Sequence, residues 1–201
     1  MKKPVVFQQE NLPQIAEKIL KGQVGMIPSD TLYGFSCDAL NIGAVEKIYS
    51  LKKRETTKPF IVLIDKIDSL SNLNIVISEK QKMFLQNNWP NPLTVVLNCP
   101  EENLTYIHRK KNSIGFRLPN NEWLRKLLKQ TGPLISTTVN LAGEPPINTV
   151  EEAIKEFGSN VDFYVDAGPL ESPPSTVISL AGDGTIKVHR QGIINVKENY
   201  I

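Results

Sequence analysis

Five consecutive apolar residues, Phe60 to Ile64, constrain the fold more than any other segment. A run with no polar alternation reads as a strand buried on both faces, and a sheet permits that only when helices cover it. The neighbouring sequence supplies those helices. Asn11 can cap one whose face carries Leu12, Ile15, Ile19 and Leu20, with Gly22 placed to end it. A short strand, Val24 to Ile27, then stops at Pro28 and leads into the turn-rich segment Ser29 to Gly34. Asn41 caps a second helix with Ala44, Val45, Ile48 and Leu51 on its buried side. That helix runs out in Lys52-Lys53-Arg54, where cations suit the negative end of the helix dipole.

The middle of the chain continues in the same style. Ser78 and Gln81 form a capping box for a helix to about Asn88, broken by Trp89-Pro90-Asn91-Pro92. Strands are predicted over Leu93 to Leu97 and Ile114 to Leu118. Trp123, Leu124, Leu127 and Leu128 fit one helix face, closed by Gly132-Pro133. Leu134 to Ser136 starts a short strand, and Thr149 with Glu152 makes a capping box for a helix to about Phe157. Three further strands are expected at Asp162 to Asp166, Ser175 to Leu180 and Thr185 to Arg190. Their adjacency favours antiparallel pairing, whereas the earlier strand-helix-strand stretches favour crossovers. The fold class expected is α+β, built in α/β layers: a twisted mixed sheet with helices packed on it. Without repeats or linkers, residues 1–201 read as one domain.

Composition excludes several classes. Hydrophobic residues at 40% and charged residues at 22% are ordinary for a soluble globular protein. No apolar run approaches the roughly 20 residues that span a bilayer, and the N-terminus has no continuous apolar stretch behind Lys2 and Lys3. Cys37 and Cys99 lack the pairing of a zinc site or a disulfide framework, and the two histidines, His108 and His189, have no metal-ligand spacing. No protein-built metal site and no membrane association is expected, and a reducing cytoplasm fits the thiols. The net charge of +2 says little about nucleic acid, but the charges cluster. His108-Arg109-Lys110-Lys111 reads as a solvated loop.

The chemistry concentrates where strands end, the usual place for ligands in open α/β sheets. The polar segments are Pro28-Ser29-Asp30-Thr31, Lys52-Lys53-Arg54 with Lys58, Thr138-Val139-Asn140, and Pro174-Ser175-Thr176. Lys52, Arg54, Lys58 and Arg190 together suit a polyphosphate. Arg117 sits in an otherwise apolar strand, so it needs a carboxylate or phosphate partner, or else an internal ion pair with an Asp or Glu. No P-loop and no dinucleotide-binding glycine pattern is present, so ATP would bind by another device. Two isolated histidines make no Ser-His-Asp triad. Positioning and charge neutralisation are the chemistry these residues offer.

These segments, in this order, resemble the YrdC/TsaC family of threonylcarbamoyl-AMP synthases from about Leu12 to Gly192. The resemblance rests on Pro28-Ser29-Asp30-Thr31-Leu32-Tyr33-Gly34, Lys52-x-Arg54 and Lys58-Pro59, Trp89 to Thr94, Gly115 to Pro119, Thr138-x-Asn140 with Gly143-Glu144-Pro145, Ser175-Thr176-Val177 and Arg190-Gln191-Gly192. It implies a YrdC-like fold and synthesis of threonylcarbamoyl-AMP and pyrophosphate from L-threonine, bicarbonate and ATP. It also implies delivery to a downstream threonylcarbamoyl transferase complex that modifies tRNA, with a possible tRNA contact. By position, Lys52, Arg54, Lys58, Thr138, Asn140, Asn148 and Arg190 would hold ATP, with Lys52, Arg54 and Lys58 in the catalytic role. Thr31, Arg117 and Ser175 would hold threonine, and Mg2+ would enter through the ATP phosphates.

The sequence departs from the family pattern at three points. Ser29 and Thr138 each exchange one hydroxyl residue for another, and Pro146-Ile147-Asn148 stands where Ser or Pro-Ser is usual. Ending at Ile201, the chain resembles the short form of the family. The rival from another class is a non-catalytic RNA-binding paralogue, to which relatives lacking the Ser-x-Asn pattern belong. On an extended segment 52–54, alternate residues face opposite ways, which would turn Lys53 away from Lys52 and Arg54.

Overall fold

The structure is a computed structural model that describes residues 3–196; Met1, Lys2 and residues 197–201 lie outside it. Along the chain come β1 (Val6–Gln8), α1 (Leu12–Leu20), β2 (Gly25–Ile27), β3 (Gly34–Ser36), α2 (Ile42–Lys52), β4 (Ile61–Leu63), α3 (Glu79–Asn88) and β5 (Leu93–Asn98). They are followed by α4 (Thr105–His108), β6 (Ser113–Arg117), α5 (Glu122–Thr131), β7 (Leu134–Thr138), α6 (Val150–Phe157), β8 (Phe163–Asp166), β9 (Thr176–Leu180) and β10 (Ile186–Arg190). The strands form one mixed sheet in the order β1-β8-β2-β3-β7-β4-β6-β5-β9-β10.

Strand periodicity splits the core between the two faces of this sheet. Along β8, Phe163 and Val165 join one apolar cluster while Tyr164 joins the other. The first cluster takes Ile15, Ala16 and Ile19 of α1 with Leu124, Leu127 and Leu128 of α5. The second takes Ala44, Val45 and Ile48 of α2, Phe84 and Leu85 of α3, and Ala153 and Phe157 of α6. Val62 and Leu63 fall on opposite sides, so the apolar run at β4 is covered on both faces as its composition requires.

Local capping chemistry sets most helix starts. The side chains of Asn41, Ser78 and Thr149 accept from the backbone N–H groups of Ala44, Gln81 and Glu152. The Ser78–Gln81 box is reciprocal, since the Gln81 side chain also accepts from the Ser78 N–H.

Four expectations need correction. Asn11 does not cap α1: its Oδ1 accepts from Gln8 N–H, serving the short 3-10 turn before the helix. Leu20 is 59% exposed, because the helix ends there and turns its last residue outward; Leu51 is only partly buried. After the turn-rich segment the structure adds a strand that the sequence reading lacks: β3 begins at Gly34 and pairs with both β2 and β7. Among the last three strands, only the β9–β10 pair is antiparallel as adjacency predicts; β8 pairs in parallel with β1 and β2.

Candidate active site

Two neighbouring cavities open where segments distant in sequence converge. The first, of about 640 Å³, is lined by Ser29, Thr31, Arg54, Arg117, Ser175 and Arg190 among others, with Gly34 and Ser136 to Thr138. The second, of about 820 Å³, is lined by Lys52 to Glu55, Lys58, Thr138, Asn140, Ala142 and Gly143. Arg54 and Thr138 line both.

Hydroxyl groups order the turn after β2. Ser29 Oγ donates to the Leu32 carbonyl at 2.6 Å, accepts from Thr31 N–H at 3.1 Å, and lies 3.2 Å from Thr31 Oγ1. Gly34 follows because a Cβ there would come 3.0 Å from Ser136 Oγ, across the pairing of β3 with β7.

Arg117, on β6, is 4% exposed, and its Nη2 lies 3.3 Å from Asp30 Oδ1. Asp30 also accepts from Asn120 N–H at 3.0 Å. The internal ion-pair reading of Arg117 is therefore realised, yet its Nε remains a buried donor without an acceptor among the described residues. Burial pulls the Arg117 pKa down, and Asp30 opposes this. Arg190 Nε and Nη2 donate to the Ser175 carbonyl at 3.1 and 2.8 Å, and Nη2 reaches Ser175 Oγ at 3.2 Å. Burial, then the nearby Arg117 charge, lowers the Arg190 pKa. Ser175 Oγ is 3.1 Å from Thr94 Oγ1. Behind it, Thr176 is fully buried and holds the chain after β10, accepting from Gly192 N–H and Ile194 N–H. Gly192 has no room for a side chain: a Cβ would sit 2.1 Å from the Pro174 carbonyl.

Lys52 closes α2 in a different way from its neighbours. It is 1% exposed, and its ammonium donates to the Thr138 carbonyl (2.5 Å), the Asn140 carbonyl (3.0 Å) and Asn140 Oδ1 (2.5 Å). Three protons meet three acceptors, so Lys52 ties the end of β7 to the end of α2. Asn140 is fixed further by Thr138 Oγ1, which donates to its Oδ1 at 2.8 Å, and by its own donation to the Glu144 carbonyl at 2.5 Å. Burial, then the Arg54 charge, pushes the Lys52 pKa down to about 7 from the ordinary lysine value of 10.5. Between those values the unfolded chain keeps a proton that the folded chain has shed. The stability linked to Lys52 is thus fully present above 10.5 and is lost as pH falls through about 7. Denaturant melts at a series of pH values should show wild type gaining stability over that window relative to Lys52→Met. Equal slopes for the two proteins would contradict the shift.

The segment after α2 is not extended. Lys53 is the helix C-cap in the left-handed region, with φ 48°, so the different exposure of Lys52, Lys53 and Arg54 comes from the helix end and not from strand-like alternation. Lys52 is buried, Lys53 exposed and Arg54 half-buried. Arg54 Nη2 donates to the Pro59 carbonyl at 3.3 Å, its guanidinium lies 5.3 Å from the Phe60 ring centre, and its Nε is a buried donor without an acceptor. Lys58 is exposed and paired with Glu55 at 3.2 Å. Asn148 lines neither cavity; its backbone carbonyl accepts from Leu170 N–H, and its Oδ1 is buried without a partner.

The structure thus gathers Thr31, Arg54, Arg117, Thr138, Ser175 and Arg190 around one cavity, and Lys52, Arg54, Lys58, Thr138 and Asn140 around the other. Residues that sequence reasoning missed are Asp30 as the Arg117 partner, Phe60 beneath Arg54, and Thr94 behind Ser175. Asp30 and Thr94 lie within segments already singled out, but nothing local points to their partners. Among the described residues, no group of three or more His, Cys, Asp or Glu side chains could hold a metal ion, and no helix is long and apolar enough to cross a membrane.

The model of the Sua5/YciO/YrdC family, described as telomere recombination, matches residues 17–192. The chain belongs to this family. A Bacillus subtilis relative named threonylcarbamoyl-AMP synthase is 31% identical over 189 residues, covering 91% of this chain and 55% of its own length. Among solved structures of the Sua5/YciO/YrdC fold, E. coli YciO matches with a TM-score of 0.85 and 27% identity, covering 98% of both chains. P. abyssi Sua5 complexed with L-threonine matches with a TM-score of 0.83 and 25% identity, covering 95% of this chain and 58% of that one. This chain therefore spans little more than half of the Bacillus synthase and of Sua5.

Proposed function

We propose that this chain, as one YrdC-like domain, is an L-threonylcarbamoyladenylate synthase. Its reaction would convert L-threonine, bicarbonate and ATP into threonylcarbamoyl-AMP, pyrophosphate and water. The observation that carries this reading is a charge imbalance: Arg54, Arg117 and Arg190 line one cavity, and among the described residues Asp30 is the single carboxylate paired with any of them. Burying guanidinium groups without counter-charges is costly, so anionic ligands belong there. The relative named threonylcarbamoyl-AMP synthase and the neighbour holding L-threonine indicate which anions.

In this scheme threonine condenses with bicarbonate, and the resulting carbamate oxygen attacks the α-phosphorus of ATP as pyrophosphate leaves. The protein supplies no nucleophile. Thr31, Arg117 and Ser175 hold threonine, with a free edge of the Arg117 fork for its carboxylate. Arg54, Lys58 and Arg190 neutralise phosphate charge, and Thr138 orients the nucleotide. Lys52 acts through Asn140 and the end of β7, since its own donors are all engaged. Asn148, which lines neither cavity, is left out of the set. Among the described residues, Glu55 is the one carboxylate lining the second cavity, and it is paired with Lys58, so this donor set fits Mg2+ only as an ion carried on the phosphates. The product would pass to a threonylcarbamoyl transferase complex acting on tRNA in the cytoplasm.

Pyrophosphate release tests the reading. Purified protein with ATP and Mg2+ should release pyrophosphate only when threonine and bicarbonate are both present. Equal release with threonine omitted rules the reaction out, and RNA binding without any release would favour a non-catalytic RNA-binding module.

A further inference from the structure

Arg109 belongs to the basic run between α4 and β6 that reads in sequence as a solvated loop. The structure does something else with it. Its Nη2 pairs with Glu46 Oε1 at 2.6 Å, and its guanidinium lies 4.1 Å from the centre of the Tyr49 ring. Glu46 and Tyr49 are one turn apart on α2, so a single arginine grips both. Tyr49 in turn stacks on Phe60, with ring centres 4.0 Å apart and planes at 28°. Phe60 carries the Arg54 guanidinium at 5.3 Å. The backbone repeats the connection: Arg54 N–H donates to the Tyr49 carbonyl at 3.2 Å, and the Tyr49 hydroxyl donates to the Lys58 carbonyl at 2.8 Å. Both ends of the loop that presents Arg54 and Lys58 are therefore fastened to Tyr49.

The placement of Arg109 has a cost in backbone conformation. Arg109, Lys110 and Asn112 all lie in the left-handed region, with φ of 50°, 63° and 51°. Side-chain-bearing residues adopt this region only when surrounding contacts hold them there. Here the Arg109 N–H donates to the Thr105 carbonyl at 2.8 Å, and Cys99 N–H donates to the Asn112 carbonyl at 2.8 Å. A loop that only displayed charge to solvent or RNA would have no need to bury most of this arginine beside a tyrosine ring.

We propose that Tyr49 and Arg109 are positioning residues: the stack Arg109–Tyr49–Phe60–Arg54 aims the Arg54 guanidinium between the two cavities. The inference rests on the synthase reading and assigns a task to residues outside both linings.

Calorimetric titration of ATP with Mg2+ into the full chain tests it, comparing wild type, Arg109→Ala, Arg109→Lys and Tyr49→Phe. Losing the cation over the ring should weaken ATP binding about 5-fold in Arg109→Ala, an effect of cation–π size. Arg109→Lys should recover part of the loss, and Tyr49→Phe should show a smaller one. The KM for threonine should stay within about 2-fold in all three, since the perturbation is of cation–π size and neither residue lines the first cavity. Unchanged ATP affinity in Arg109→Ala overturns the proposal. So does an equal loss for ATP and threonine accompanied by a lower melting temperature, the mark of a merely structural role. If wild type itself binds no ATP, the synthase reading fails separately. The Arg54 Nε–H resonance of the free proteins then decides the positioning: a shift between wild type and Arg109→Ala supports it, and superimposable resonances refute it.

Discussion

Arg54→Ala should abolish pyrophosphate release and weaken ATP binding on the order of 100-fold, while Lys53→Ala leaves both nearly intact. Among the described residues, Arg54 is the one cation lining both cavities, and none of them supplies an acceptor for its buried Nε donor. A charge-assisted contact in such a place is worth about 1.5–3 kcal/mol, and a guanidinium offers more than one. Lys53 shares the rim of the second cavity, but it is exposed at the helix C-cap, where water and salt screen its charge. Its truncation should cost less than about 1 kcal/mol of ATP affinity, the ceiling for exposed charges. Calorimetric ATP titration of the two variants separates the cases. Similar losses for both, growing at low salt, would instead describe a diffuse basic patch for RNA.

What was legible in the sequence was local. Asn41, Ser78 and Thr149 cap helices because a cap needs only the next three residues, all visible in the chain. The apolar run at β4 announced a sheet covered on both faces, and the polar segments marked stretches of chain that line the two cavities. What failed was long-range. The parallel partners of β8 lie far back in the chain, at β1 and β2, and no adjacent residue encodes that choice. β3 is three residues long and begins with a glycine packed closely against Ser136, so periodicity had nothing to register. Asn11 has the right residue type for a cap, but a 3-10 turn competes for its side chain and wins. At the site, a lysine beside an arginine looked like two phosphate ligands. Only tertiary structure shows that Lys52 spends its three donors on Thr138 and Asn140 while Arg54 retains free ones. The need of Arg117 for a partner was legible from its apolar strand; that the partner is Asp30 was not.

Arg117 carries the prediction that best separates structure from substrate binding. Its guanidinium serves Asp30, whose side chain is 3% exposed, and has donors left over. Truncation to alanine would leave that carboxylate buried and unpaired, a loss of about 3–5 kcal/mol that is enough to compromise folding. Arg117→Ala would thus reveal little about threonine. Arg117→Lys keeps a cation opposite Asp30 but gives up the planar fork needed to hold Asp30 and a substrate carboxylate together. The expected result is a folded protein whose threonine requirement rises roughly 30-fold, matching about 2 kcal/mol for one bidentate charge-assisted contact, with ATP affinity within about 3-fold. Asp30→Asn is the companion variant: it removes the competitor for the fork but also leaves the Arg117 guanidinium without its counter-ion, so its folding is verified by thermal melting before its threonine dependence is read. If threonine competes with nothing at Arg117, both variants will keep the wild-type threonine dependence, and the residue is then purely an internal counter-ion. A rise in the threonine requirement for Arg117→Lys, absent in Asp30→Asn, places the substrate carboxylate on the edge of the fork that Asp30 does not occupy.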